Sequence, residues 1–328
     1  MNGAKNRYDA PFRLFRIYWQ RFAPLLKRST MLRFIYAMIW SRDKRTLFIF
    51  SHWVRIGIWL IDQVGIVGLE FDERRAFFSL SNGIKFTYLH EISGAGLDVN
   101  VYRGDYEPWI TKLVLALLPD EAVFFDVGAN IGWFSLHVAR SVIGSEVHAF
   151  EPGSFASQCL RVNVEKNGMT NQIAICQNAV TAQCGTVTFI DDQVGHALNH
   201  IDSGEWTTSR RDEVEAVTLD RYCEKNSISR LDLIKCDVEG AELSVLQGGV
   251  ETIRRFRPGI LLEANASWTA RFGYHPADIV RFLDSEGYVY RVIGMNGVLR
   301  NTGNIETDID FGENILFLPS SKSFPKEL

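Results

Sequence analysis

The sequence has five cysteines (Cys159, Cys176, Cys184, Cys223 and Cys236) but no CxxC pair. An odd number without paired spacing argues against a disulfide framework or a zinc site and for reduced, mostly buried thiols, which favours the cytosol. A clean membrane span is also lacking. The best apolar stretch, residues 46–69, carries Arg55 and Asp62 near its middle, at about 2.5–3.5 kcal/mol each on insertion scales, so a peripheral or protein-packed helix is expected there. Arginines interrupt the first 45 residues before a secretory signal with a cleavage site can form. With 46 % apolar residues in 328, the chain can still bury a sizeable core in one large or two modest domains.

What is present is unevenly distributed. Residues 1–56 hold twelve Lys or Arg against Asp9 and Asp43, a net +10 that leaves −14 for the remainder of a chain whose total is −4. Aromatic residues interleave with that charge, and Phe12, Phe15, Trp19 and Phe22 fall on one helical stripe before Pro24. Such an arm suits an anionic membrane surface or a partner; packing on the rest of the protein explains the stripe equally well. Nucleic acid is not expected, because the acidic remainder repels phosphate and no nucleic-acid module is visible.

Further along, the hydrophobic period changes. Residues 77–89 are two β-rich runs around Ser81-Asn82-Gly83, a hairpin signal, and residues 104–118 read as a turn followed by a helix. From Glu121 onward, short apolar strands are predicted at 122–126, 146–151, 173–178, 231–237, 259–263, 288–293 and 313–318. Helices are predicted at 133–141, 154–167, 241–248 and 276–286. This alternation predicts an α/β fold with a parallel, doubly wound sheet whose ligand crevice lies beyond the carboxyl ends of the strands.

One motif marks that crevice. In "FFDVGANIGWF" Asp126 ends the first strand, and the turn of Gly128, Ala129, Asn130 and Gly132 delivers a helix N-terminus with its free N–H groups. Glu151 ends the second strand, where doubly wound folds place the carboxylate for ribose hydroxyls. A tight turn needing glycine for geometry alone explains Gly128 but neither acid. The dinucleotide fingerprint requires glycine where Asn130 stands, and the nucleoside-triphosphate loop requires a GK[ST] ending that is absent. The D-x-G-x-x-x-G pattern suits S-adenosylmethionine, with Asn178 and Ala179 at the third strand end as adenine contacts.

The ordered segments "FFDVGANIGWFS", "AFEPG", "VTLDRY", "LDLIKCDVEGAE", "LQGG" and "GILLE", with "GDYEP" upstream, resemble the FkbM-type S-adenosylmethionine-dependent methyltransferases over residues 75–318. The resemblance implies a class I methyltransferase (Rossmann-like) fold with a seven-stranded sheet, its last strand antiparallel, preceded by a β-hairpin and a basic helical N-terminal region. It implies hydroxyl acceptors, often on sugars, glycolipids or polyketides, and places Tyr106 and Glu107 near the methionine portion. If Glu107 has no such role, it serves the start of the following helix.

The expected organisation is a basic, aromatic, mainly helical region (1–68), a hairpin and lead-in helix (69–118) and the cofactor-binding domain (119–328). Methyl transfer to an alcohol needs alignment and deprotonation, and the candidate catalytic residues are Asp237, Glu239 and, in a polar segment, His196. Asp237 is also a candidate cofactor contact. Glu242 reads as a third site acid, and the alternative is that Glu239 or Glu242 caps the N-terminus of the following helix. Glu263 and Asn265 follow in the same row, but nothing in the spacing demands a metal and none is assigned. Trp133 and Phe134 are read as core. The expected activity is O-methylation of a carbohydrate or lipid-linked glycan, in the cytoplasm or peripherally on the cytoplasmic membrane face. The rivals are a methyltransferase for a soluble natural product and a non-catalytic cofactor-binding module recruited to a membrane.

Overall fold

A computed structural model describes residues 66–71, 75–87, 106–191, 200–204, 210–294, 297–301 and 313–325. The basic arm (1–56), its proposed membrane contact and His196 lie outside the described residues. The first elements form a three-stranded antiparallel sheet of β1 (Ile66–Phe71), β2 (Ala76–Leu80) and β3 (Lys85–Thr87). The predicted Ser81-Asn82-Gly83 turn joins β2 to β3, with Gly83 at φ 81°. Helix α1 (Pro108–Leu117) follows and begins at a proline, which is preset for the first helical position.

The main layer comes next. Strand β4 (Val123–Val127) leads to α2 (Trp133–Ser141), β5 (Glu146–Phe150) to α3 (Ser154–Lys166), and then β6 (Ile173–Cys176). An insertion follows, with β7 (Ala179–Val180), β8 (Gly185–Asp191), β9 (His200–Ile201) and β10 (Arg210–Val217). They form a separate four-stranded sheet in the order β7-β10-β8-β9. The chain then continues through α4 (Leu219–Lys225), β11 (Leu233–Cys236), α5 (Glu242–Gln247), α6 (Val250–Phe256), β12 (Gly259–Ala264) and α7 (Ala266–Thr269). It closes with α8 (Pro276–Ser285), β13 (Tyr288–Ile293), β14 (Leu299–Arg300) and β15 (Glu313–Pro319).

The large sheet has the order β14-β13-β15-β12-β11-β4-β5-β6, and β15 pairs antiparallel with both of its neighbours. Strands are thus found at all seven expected positions, the last antiparallel, and among the described residues the two-residue β14 adds an eighth at the edge, too short to announce itself in the sequence. The insertion sheet was not anticipated either. Its β8 and β10 alternate small, β-branched and charged residues, a half-exposed pattern that lacks the apolar density of the core strands.

Alternation along the central strands sorts their side chains. Phe125, Val127, Ile234, Cys236, Ile260 and Leu262 join one apolar core together with Ile315 and Phe317. Residues of opposite parity, including Asp126 and its register partner Lys235, face the other side of the sheet. Two asparagines four residues apart, Asn163 on α3 and Asn167 at its C-cap, dock the hairpin. Asn163 accepts from the Thr87 amide (2.7 Å) and donates to the Ile131 carbonyl (2.9 Å), while Asn167 pairs with both the amide and the carbonyl of Lys85 (2.9 and 2.7 Å). Helix α3 thus imitates a strand edge for β3. The docked hairpin brings Phe86 onto Trp133, with ring centroids 5.4 Å apart.

Candidate active site

The turn after β4 is built around close backbone contact. The amides of Gly128 and Ala129 both donate to the Phe150 carbonyl (3.0 and 2.9 Å), which ties the turn to the end of β5. Gly128 has φ 84°, and a Cβ there would stand 1.8 Å from the Asp237 carbonyl oxygen. Only glycine satisfies both conditions. Asn130 is also left-handed, at φ 48°, and its amide donates to Glu151 Oε2 (2.8 Å). The Gly153 amide donates to Glu151 Oε1 (2.8 Å), so two main-chain donors fix this buried carboxylate against the turn. Gly132 precedes the first residue of α2.

Asp126 is fully buried. Its Oδ2 accepts from the Ser135 amide (3.0 Å) and hydroxyl (2.6 Å), whereas Oδ1 has no hydrogen-bond partner. Burial raises its pKa above the ordinary aspartate value, and the Lys235 charge and Ser135 partly oppose that shift.

At the adjacent strand ends the acids accumulate. Asp237 follows β11 and forms an ion pair with Lys235 (Nζ to Oδ2, 2.8 Å). Glu239 adopts a left-handed conformation, φ 52°, and burial pushes its pKa up to about 9, reinforced by Asp237, Glu263 and Glu242. Glu263, in β12, is pushed up to about 8 by the Asp237 charge first, then by burial and Glu107. Glu107 is left-handed at φ 43°; burial raises its pKa, and its Oε2 lacks a hydrogen-bond partner. It precedes α1 without a side-chain cap bond, which removes the helix-start explanation for its carboxylate. Tyr106 meets Trp133 edge-on with centroids 5.6 Å apart, and burial raises its phenol.

Glu242 behaves differently. Its Oε1 accepts from the amides of Val238 (3.2 Å) and Gly240 (3.1 Å), so it organises the turn before α5 rather than capping the helix, which has no side-chain cap bond. Burial lifts it to about 7 despite those donors. Tyr274 braces the same turn, donating to the Gly240 carbonyl (2.8 Å) and accepting from the Leu243 amide (3.3 Å), with Glu242 Oε2 at 3.2 Å.

The described candidates thus divide. Asp126, the 128–132 turn, Glu151, Glu107, Asp237 and Glu239 meet around the carboxyl ends of β4, β5 and β11, with Glu263 joining from β12. Asn178 instead directs its amide to Glu215 of β10 (3.3 Å), and Ala179 pairs with Ala216 in the insertion sheet. Asn265 Oδ1 is engaged by Ser267 (2.6 Å to Oγ, 3.0 Å to the amide) as the cap of α7. Trp133 and Phe134 are buried, as the core reading holds. Lys235, Ser135 and Tyr274 were missed. A lysine inside a strand covered on both faces was the available signal for the first of them. A surface hollow of 360 Å³ lies at the opposite ends of β5 and β6, lined by residues 144–146 and 170–174, away from these acids. No helix among the described residues is long and apolar enough to cross a membrane.

Comparison with known proteins places this geometry in context. The model of the methyltransferase FkbM domain matches residues 126–290, half of the chain. Methyltransferase sdnD of Sordaria araneosa is 28 % identical over 162 residues, covering 41 % of this chain and 62 % of that protein. The 2-O-methyltransferase NoeI of Sinorhizobium fredii is 25 % identical over 162 residues, covering 44 % and 65 %. Hexuronic acid methyltransferase AglP of Haloferax volcanii is 24 % identical over 181 residues, covering 55 % and 68 %. The matches to the first two span less than two thirds of those relatives.

Proposed function

The chain belongs to the FkbM methyltransferase family, and from that premise we propose that it is an S-adenosylmethionine-dependent O-methyltransferase acting on a hydroxyl of a carbohydrate or lipid-linked glycan. The observation that carries this reading is the meeting of an amide-held Glu151, a glycine turn in contact with Asp237, and the raised Glu239 at adjacent strand ends. The similarity to the 2-O-methyltransferase NoeI and the hexuronic acid methyltransferase AglP supports oxygen and sugar as the acceptor chemistry.

The residues fit the cofactor. Glu107 Oε2 is a buried acceptor without a hydrogen-bond partner in the protein, and it would take a donor from the amino-acid portion of the cofactor. Glu151 is held rigidly where ribose hydroxyls are read in this fold class, and Asn178 and Ala179, which follow β6 and lead into the insertion sheet, remain the proposed adenine contacts. When bound, S-adenosylmethionine supplies an activated methyl group. The chain then has two tasks, alignment and proton removal. Asp237, clamped by Lys235, orients the acceptor hydroxyl. Glu239 takes its proton, because a carboxylate with raised affinity for protons is the stronger base once ionised. A positive charge entering the crevice favours that ionised form. His196, in the polar segment before β9, remains a candidate to approach the acceptor. The basic aromatic arm, residues 1–56, would hold the enzyme against an anionic membrane surface where lipid-linked acceptors are assembled.

The test incubates purified protein with methyl-labelled S-adenosylmethionine and an extract of its source cells, with Asp237→Asn and Glu239→Gln as controls. Label in lipid or polysaccharide that both variants fail to produce supports the reading. Label confined to small molecules defeats the glycan assignment, and equal labelling by the variants defeats the residue roles.

A further inference from the structure

Lys235 is out of place by the ordinary rules of sheet composition. It sits within β11, a central strand where both faces are covered and apolar residues dominate, and it is 3 % exposed. Strand alternation sends Ile234 and Cys236 into the apolar core and turns Lys235 toward the face shared with Asp126. Burying an ammonium there is strongly unfavourable unless partners compensate it.

The compensation is specific. Nζ lies 2.8 Å from Asp237 Oδ2 and 4.6 Å above the Phe134 ring centroid. Burial pulls the lysine pKa down, but Asp237, Glu107, Asp126 and Tyr106 together outweigh burial and keep it charged. Lys235 is in turn the cation that opposes the upward shifts of Glu107, Asp126, Glu239 and Glu263. As a cross-link the pair achieves little, because residues 235 and 237 are two apart on one strand and its extension. What the pair does fix is the orientation of Asp237 at the crevice.

We propose that Lys235 is a positioning residue for methyl transfer, its buried ammonium clamping Asp237 in one orientation at the end of β11 and serving as the counter-charge of the acids gathered there. The proposal rests on the methyl-transfer reading above. The groups facing this centre are Asp126 from β4, Glu107 and Tyr106 before α1, Asp237, Glu239 and Glu242 between β11 and α5, and Glu263 from β12. Around one cation they form a surplus of acids, so removing Lys235 leaves Asp237 unclamped and raises the proton affinity of its neighbours.

Lys235→Met keeps the aliphatic stem and removes the charge. The expected result is a kcat at least about 100-fold lower, with the acid limb of the pH–rate profile displaced to higher pH. In cofactor-free protein, carboxyl carbon-13 NMR, assigned with Glu239→Gln and Glu263→Gln, is expected to show the Glu239 and Glu263 midpoints rising by about one unit or more. Lys235→Arg, which restores the charge but not the point contact, is expected to return the midpoints while kcat stays at least about tenfold low. A folded Lys235→Met protein with unmoved midpoints, or one whose kcat falls with an unchanged pH profile, overturns the proposal. If Lys235→Met does not fold, the arginine variant decides alone, and wild-type kcat in it overturns the clamp. Absence of transfer by the wild-type protein overturns the reading on which the positioning role rests, while the midpoints still decide the counter-charge.

Discussion

Replacing Gly128 with alanine strikes the point where the turn after β4 touches the end of β11. The added Cβ would lie 1.8 Å from the Asp237 carbonyl oxygen, on a residue whose φ is 84°. Carbon and oxygen need roughly 1.5 Å more than that, so the turn or the Asp237 peptide must move. A left-handed alanine costs about 1–2 kcal/mol by itself, and the displacement brings the total to about 3–5 kcal/mol. Gly273 provides the control. It is also left-handed, at φ 76°, but a Cβ there meets nothing within 4 Å, so Gly273→Ala isolates the conformational term of about 1–2 kcal/mol. The assays are urea denaturation and calorimetric binding of S-adenosylhomocysteine. Gly128→Ala is expected to lose about 2–4 kcal/mol more stability than the control. It should also bind at least about tenfold more weakly, because a shift of this size moves the amides and the carboxylate that define the site. Equal stability and equal affinity in the two variants would refute the close-contact account of the turn.

Three other perturbations read different parts of the site. Glu239→Gln is expected to lower kcat by about 10²–10⁴-fold, equivalent to roughly 3–5 kcal/mol of barrier, and to abolish the acid limb of the pH–rate profile; retention of that limb assigns the proton to another group. Stability of the cofactor-free protein should decline with alkalinity. Glu239 and Glu263 bind protons more tightly when folded (about 9 and 8, against an ordinary 4.5), so the folded state holds more protons from about pH 4.5 upward. The loss continues until pH passes the folded values. Denaturation at pH 6 and pH 9 should show a shallower decline in Glu239→Gln, and identical declines would contradict the raised value. Tyr274→Phe removes the donor to the Gly240 carbonyl and the acceptor for the Leu243 amide, at a cost of about 1–3 kcal/mol by thermal melting; an unchanged melting temperature would show that the turn stands without this brace.

Much of this architecture is legible from local pattern. Residues 288–293 and 133–141 fall on a strand and a helix with the predicted bounds, because an apolar run or a helical stretch bounded by turn residues carries its own period. The Ser81-Asn82-Gly83 hairpin follows from a turn chemistry confined to a few residues. The insertion sheet escapes such reading, since β8 and β10 pair across a long gap and expose one face, leaving alternation without apolar density. Glu107 illustrates the same limit. Its place before Pro108 looks like a helix start, yet its side chain turns away from the helix toward the surroundings of Lys235 and Asp237.

The sequence by itself determined the alternating strands and helices, the glycine turn after Asp126 and the order of motifs that assigns the family. Each of these depends on neighbours a few residues apart, and the backbone's preferences act at that range. Only the tertiary structure decided which acids share a charge. Glu107, Asp126, Asp237, Glu239 and Glu263 come from four separate stretches of chain, and only the folded sheet gathers them around Lys235, where Glu107, Asp126, Glu239 and Glu263 hold their protons more tightly than free carboxyls do. Electrostatic energy depends on distance through space and on exclusion of water, and neither quantity exists until the strands lie side by side.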